Sequence, residues 1–418
     1  MNYIDINGGV PLEGQIKVSG FKNAALPILY ATLLVNDVVV ISNIPDISDV
    51  WVTLDILREM GATVTHMGED TYEIDTRSAD FGEVSQDLIR SMRGSYYLLG
   101  AEMGRFNRAK IGEIGGCNFG TRPIDQHIKA FRAFGATVNY TPTSFVMCAN
   151  KLTGNRINFD TVSVGATVNA ILCAVLAEGR TVLCGAAREP HVCDLCNFLN
   201  KCGAEIHGIG SNKIIIDGVL SLHGCEYRII PDMIEAATYM TIGAAIGKSI
   251  EIISAPINHL ESVMSKLKEA GADINIYDGN MVTVRRDRLE ATDISTGVYP
   301  SFPTDMQPQF STLMCMARGS SRIDERVWHA RFRYAGELIK MGANIEINGD
   351  SAIICGVDRL HAATVEAIDL RAGAALIIAA LCADGKSRIT SSELIKRGYE
   401  DISGKLSSIG ACVREGEL

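Results

Sequence analysis

Residues Leu260–Ile274 read LESVMSKLKEAGADI, and this stretch decides the fold because variants of it recur along the chain. Leu260, Val263, Met264 and Leu267 fall at the three- and four-residue spacings that line one face of an α-helix. Gly271 then suits the end of that helix, where a residue must take the left-handed conformation. The pattern Gly-Ala-x-(Val/Ile) returns at Gly61, Gly135, Gly203, Gly271, Gly342 and Gly410, 68 to 74 residues apart. Spacing this even marks an internal repeat of six units.

Ahead of each amphipathic helix the unit supplies a different one. NAALPILYATLLVND and RAGAALIIAALCADGKS are small and apolar nearly all round, so these helices are expected to be buried. A short β-branched strand follows (DVVVIS, KSIEIIS, KSRITSS), then a loop, then the amphipathic helix. Two further strands, as in ADINIYDGNMVTVRR, close the unit around a turn at Asp278 and Gly279. The fold class is therefore α/β with helices inside and strands outside, six units grouped three and three, the midpoint falling near Ile230.

The 418 residues suffice for two or three domains, and 47% hydrophobic with 21% charged residues describes a globular chain. A net charge of −10 argues against a nucleic-acid partner, which calls for a basic face, but leaves room for a small anion held by a local cationic cluster. The start MNYIDINGGV has no signal-peptide pattern and no apolar run is long enough to span a bilayer, so a cytoplasmic location is expected. The twelve cysteines show no regular framework. Only HVCDLCNFLNKC, with His191, Cys193, Cys196 and Cys202, has metal-like spacing, and on a helix Cys193, Cys196 and Leu199 would share an apolar face instead. In GEIGGCNFGTRPID, from Gly112 to Asp125, Cys117 sits among glycines, open to readings as a ligand, a reactive thiol or a turn residue.

Polar residues recur at one position of the repeat. Lys22, Arg93, Ser163, Asp232, Asp305 and Arg371 stand at the starts of the buried helices, 66 to 73 residues apart. A helix N-terminus favours anions, and cations beside it strengthen the case for phosphate. The loop before the amphipathic helix carries Arg122, Glu189, Arg331 and Arg397. Singly these read as caps and surface pairs; together, in a pseudo-three-fold unit, they would line a cleft for a ligand with several negative charges.

The motifs SGFKNAALPI, SMRGS, GGCNFGTRPIDQHI, SVGAT, AAREP, FPTDMQ, DLRAGAA and RGYE, in this order along the whole chain, closely resemble the UDP-N-acetylglucosamine enolpyruvyl transferases (1-carboxyvinyltransferases) of the EPSP synthase superfamily. The resemblance implies an inside-out α/β barrel in two domains of three βαβαββ-type repeats, 22–230 and 1–21 with 231–418. It implies transfer of the enolpyruvyl group of phosphoenolpyruvate to the sugar 3-hydroxyl, with release of phosphate through a tetrahedral adduct, at the start of peptidoglycan synthesis. It implies no metal or cofactor. By the same resemblance Lys22, Arg122 and Arg397 would hold the phosphate of phosphoenolpyruvate, and Arg331 and Arg371 its carboxylate. Asp305 would take the hydroxyl proton and Asn23 orient the sugar. Arg93, Asp125, Ser163, Val164, Gly165 and Val327 would bind the UDP-sugar, with Glu189 and Asp232 behind the cationic cluster. Cys117 would protonate the methylene carbon and be the thiol that fosfomycin alkylates. A thiol beside Arg122 in a Gly-rich loop is chemically suited to that role, since a nearby cation lowers its pKa and the glycines let the loop close.

The chain departs from the family at several places. Met233 stands where the family has an arginine, His329 and Ala330 where it has Glu and Asn, Leu394 and Lys396 in place of a His-x-Asp, and Asn118 and Phe119 in the Cys117 loop. These changes gather near the acceptor. They leave open a paralogue acting on another uridine nucleotide, such as UMP, or a UDP-sugar-binding regulator without turnover.

Overall fold

The computed structural model describes residues 2–82, 84–112, 124–141 and 144–417. Cys117, Asn118, Phe119 and Arg122 lie outside the described residues. The chain divides into two compact units, Gly20–Ile230 and Met1–Ser19 with Pro231–Leu418.

In Gly20–Ile230 the buried helices are Lys22–Ala31, Tyr97–Phe106 with the 3-10 turn Arg93–Tyr96 before it, and Val164–Ala174. They pack on one another because small residues let the backbones approach. A Cβ on Gly100 would lie 2.7 Å from Asn169 Oδ1 and 2.9 Å from Asn169 Cα, and one on Gly104 2.5 Å from the Leu172 carbonyl. Asn169 uses the gap: Gly100 N donates to its Oδ1 at 2.7 Å, and its Nδ2 donates to the Gly165 carbonyl at 3.0 Å. The other unit repeats the plan with Met233–Ile246, Gln307–Met314 after the 3-10 turn Thr304–Met306, and Leu370–Cys382.

Every glycine of the repeat pattern has positive φ, between 90° and 98°, at Gly61, Gly135, Gly203, Gly271, Gly342 and Gly410. The backbone rule read from sequence therefore holds in all six units. Asp278 and Gly279 also have positive φ (48° and 73°), as the turn between strands Asp273–Tyr277 and Met281–Arg285 requires.

The strands form six small sheets among the described residues, five of four strands and one of three, and the fold is mixed α/β. In each four-stranded sheet the strand after the buried helix pairs with a parallel strand and with an antiparallel hairpin, as Arg180–Cys184 does with Arg156–Asn158 and Lys213–Asp217. Where the chain passes between units, this order is exchanged. Leu12–Lys17, which precedes the Lys22 helix, pairs parallel with Gly247–Ile253; Glu226–Arg228, which precedes the Met233 helix, pairs parallel with Val38–Ser42. In the sheet of Lys386–Thr390 a hairpin is replaced by two strands distant in sequence, Asn2–Asn7 being inserted antiparallel between Lys386–Thr390 and Cys412–Glu417. No helix among the described residues is long and apolar enough to cross a membrane.

Candidate active site

All six helix-start residues lie where the repeat places them, but their chemistry differs. Lys22 opens its helix, whose N-cap Phe21 offers no side-chain acceptor. Ser163, Asp232 and Asp369 instead cap their own helices. Ser163 Oγ accepts from Ala166 N at 3.3 Å, Asp232 Oδ1 from Ile234 N and Glu235 N at 2.7 and 3.1 Å, and Asp369 Oδ1 from Arg371 N and Ala372 N at 2.8 and 3.0 Å. Those N-termini already hold an acceptor, so the general expectation of anion-ready helix starts narrows to the ones without a side-chain cap.

Within residues 231–418, one carboxylate gathers two arginines. Arg371 donates from Nε and Nη2 to Asp305 Oδ2 at 3.2 and 2.9 Å, and Arg331 Nη2 lies 3.6 Å from Asp305 Oδ1. Both arginine side chains are at most 5% exposed whereas Asp305 is 32% exposed, so the carboxylate is the part that solvent reaches. Burial works against the Arg371 charge, but Asp305, Tyr399 and Asp232 outweigh it and hold the guanidinium protonated. The 3-10 turn bearing Asp305 is fixed by Glu325, a buried carboxylate that accepts from Thr304 Oγ1 (2.9 Å), Thr296 Oγ1 (2.8 Å) and the backbone N of Val327 and Trp328 (2.8 and 3.1 Å). Glu325 thereby joins the Asp305 turn to the loop of Val327; its sequence context, IDERVW, gave no sign of this. His329 and Ala330 follow on that loop and are exposed, with His329 Nδ1 2.8 Å from Asp350 Oδ2. Arg397 ends the 3-10 helix Ser392–Arg397, two residues before Tyr399.

Within Gly20–Ile230, Lys22 Nζ is 2.7 Å from Asp49 Oδ2, both side chains nearly buried, and Asn23 is half-buried on the same helix. A second cluster draws on the second and third repeats. The Arg93 guanidinium lies 4.8 Å above the Tyr96 ring, and Tyr96 stacks on His127 with ring centroids 5.5 Å apart. His127 Nε2 would be 2.8 Å from a Cβ at position 165, so Gly165 is required for the ring to sit there. Burial first, then Arg93, pull the His127 pKa down to about 4, with Asp125 opposing, and the ring is neutral at pH 7. Its Nδ1 is buried with no hydrogen-bond partner among the described residues. Asp125 begins the helix Asp125–Ala133 and accepts from Gln126 Nε2 at 2.7 Å. Glu189, the N-cap residue of Pro190–Lys201, and Arg93 both act on the hydroxyl of the half-buried Tyr97, which desolvation pushes up to about 12. Thus Arg93, Asp125, Gly165 and Glu189 fall in one neighbourhood, and His127 and Tyr96 are members that sequence reasoning missed.

On the helix Pro190–Lys201 Cys196 and Leu199 are buried, Cys193 Sγ donates to the Arg188 carbonyl at 3.7 Å, and Cys202 pairs with Cys225, Sγ to Sγ 3.4 Å. No group of three or more metal-ligating side chains occurs among the described residues.

A buried arginine pair on one carboxylate, repeated six-fold architecture and an aromatic–histidine cluster narrow the families that fit. Residues 6–406 match the EPSP synthase family, 3-phosphoshikimate 1-carboxyvinyltransferase. The chain belongs to this family. It is a carboxyvinyl-transferring enzyme by that membership. A protein of Clostridium botulinum named UDP-N-acetylglucosamine 1-carboxyvinyltransferase is 46% identical over 415 residues, 99% of both chains. One of Bacillus subtilis, named UDP-N-acetylglucosamine 1-carboxyvinyltransferase 2, is 44% identical across 99% of this chain and 96% of its own. Among solved structures, the enolpyruvyl transferase NikO from Streptomyces tendae superposes with a TM-score of 0.89 at 27% identity over 99% of both chains. EPSP synthase from Acinetobacter baumannii, at 18% identity and a TM-score of 0.76, shares the fold.

Proposed function

We propose that the protein transfers the enolpyruvyl group of phosphoenolpyruvate to the 3-hydroxyl of UDP-N-acetylglucosamine and releases phosphate, the first committed step of peptidoglycan synthesis, in the cytoplasm. The observation that carries this reading is the Asp305 site: a solvent-reached carboxylate held by two buried arginines. Its support from relatives is their name, borne by proteins 44 to 47% identical over nearly the whole chain.

In this reading each unit is an inside-out α/β barrel, 22–230 carrying the Cys117 loop and the nucleotide residues, 1–21 with 231–418 carrying Asp305, Arg331, Arg371 and Arg397. The sugar hydroxyl adds to C2 of phosphoenolpyruvate while Asp305 takes the hydroxyl proton and Cys117 gives one to the methylene carbon. The tetrahedral adduct then loses phosphate and a methyl proton to restore the double bond. Arg331 and Arg371 hold the carboxylate of phosphoenolpyruvate, and Lys22, Arg122 and Arg397 its phosphate, offsetting charge that would otherwise repel. Arg93, Asp125, Ser163, Val164 and Gly165 bind the nucleotide, Asn23 and Val327 the sugar, with Glu189 and Asp232 supporting the cations. No metal or cofactor takes part.

A second acceptor is the competing reading. His329 and Ala330, two of the departures from the family, are exposed on the loop whose Val327 amide binds Glu325, the carboxylate that also accepts from Thr304 beside Asp305. Phosphate release from phosphoenolpyruvate decides among the readings when UDP-N-acetylglucosamine, UMP or no acceptor is supplied. Release with the UDP-sugar alone is expected; release with UMP alone would transfer the reading to a paralogous enzyme, and tight UDP-sugar binding without release would leave a regulator.

A further inference from the structure

Tyr399 is fully buried, and its hydroxyl meets side chains from three different helices of its unit. Thr238 Oγ1 lies 2.8 Å away, and Arg371 Nη1 and Gln309 Nε2 each approach to 3.4 Å. The direction of these bonds follows from proton counting. Thr238 spends its own hydrogen on the Ile234 carbonyl at 2.8 Å, so it can only accept from Tyr399. The Tyr399 oxygen is then left to accept from Arg371, which has only N–H groups to offer, and Gln309 Nε2 lies between the two hydroxyls, 3.3 Å from Thr238 and 3.4 Å from Tyr399. A one-way chain results, from Arg371 through Tyr399 and Thr238 to the backbone of the helix Met233–Ile246.

This chain sets the rotation of a flat group. The Arg371 guanidinium lies over the Tyr399 ring at 5.7 Å, with Nη1 turned to the hydroxyl and Nε and Nη2 turned to Asp305 Oδ2. The Nη1 contact adds a third anchor, on the opposite side of the fork, to the two that face Asp305. The same tyrosine belongs to the turn that follows Arg397, where Gly398 N and Tyr399 N both donate to the Ile395 carbonyl at 3.1 Å. Its hydroxyl therefore pins an arginine-bearing turn to the helix that carries Arg371 and to the helix that carries Thr238.

We infer that Tyr399 is a positioning residue for enolpyruvyl transfer, orienting Arg371 against Asp305 and holding the Arg397 turn on the same core. This rests on the proposed roles of Arg371, Arg397 and Asp305. Tyr399→Phe keeps the ring and removes the acceptor. With the wild-type enzyme as control, its KM for phosphoenolpyruvate should rise about tenfold, the worth of one hydrogen bond to a charged group, while KM for the nucleotide acceptor stays put even if the thermal midpoint falls. Thr238→Val, which removes the acceptor for the Tyr399 proton, should show the same selective rise at smaller size. An unchanged KM for phosphoenolpyruvate in both variants, or a parallel rise of both KM values, overturns the positioning role. A wild-type enzyme inactive with every acceptor overturns instead the reading on which it rests.

Discussion

His127 offers the sharpest test of the nucleotide side of the site, because its burial makes a quantitative claim about pH. Its pKa falls from 6.5 to about 4 on folding, by burial first and Arg93 second. Between those values the unfolded chain binds the proton and the folded chain does not, so stability is fully present above about pH 6.5 and is lost as pH falls toward 4. Linkage puts the loss between about pH 7.5 and about pH 5 at about 2 kcal/mol. His127→Gln has no such proton, so the stability gap between wild type and variant should shift by about that amount in the variant's favour at the lower pH. Urea unfolding of both proteins at both pH values reads it directly. Other buried acids titrate in the same range, Glu102 raised to about 8 and Asp194 to about 6, mainly by burial, and their slope has the opposite sign. They are common to both proteins and cancel in the difference. A gap that does not move with pH would mean that His127 titrates in the folded protein as it does unfolded, and a gap that moves the other way that it is protonated; either would make the buried, neutral ring described above wrong.

Asp305→Ala should lower kcat by orders of magnitude while UDP-sugar affinity changes little, and equal losses in both would make Asp305 a binding residue. Cys117→Ser should abolish labelling by fosfomycin, followed by intact mass, and undiminished labelling would point to another thiol. Gly100→Ala drives a methyl group to within 2.9 Å of the Asn169 backbone, and should cost about 1–3 kcal/mol in denaturant unfolding; a neutral result would show that the two helices can part. Ala330 has φ 56° in the left-handed region and is exposed, so Ala330→Gly should stabilise by about 1 kcal/mol, and a lower thermal midpoint would contradict that backbone conformation.

The periodic features were legible because they obey local rules. Gly61, Gly135, Gly203, Gly271, Gly342 and Gly410 advertise a backbone conformation, and the apolar helices advertise burial by composition alone. Spacing alone places Asp305 and Arg371 at helix starts and Arg331 in the loop before the amphipathic helix, and the fold brings the three together as ion pairs. What stayed hidden depends on tertiary geometry. His127 reads as one more residue on an amphipathic helix until Gly165 is seen under its ring, and Tyr399 as a motif aromatic until its hydroxyl is traced to Thr238. Glu102, within LLGAEMGRF, carries no hint that its carboxyl is buried against Lys110 N with Oε1 unpartnered among the described residues. Pairing of Asn2–Asn7 with strands nearly four hundred residues away is likewise invisible to any local pattern.

That last pairing bears on how the protein comes off the ribosome. Gly20–Ile230 is one continuous segment, and among the described residues none of its sheets takes a strand from later sequence. Asn2–Asn7 is made well before its partners, Lys386–Thr390 on one side and Cys412–Glu417 on the other. An alternating Tyr-Ile-Asp-Ile strand thus waits with both edges open until those partners emerge, a condition that favours chaperone binding to nascent chains.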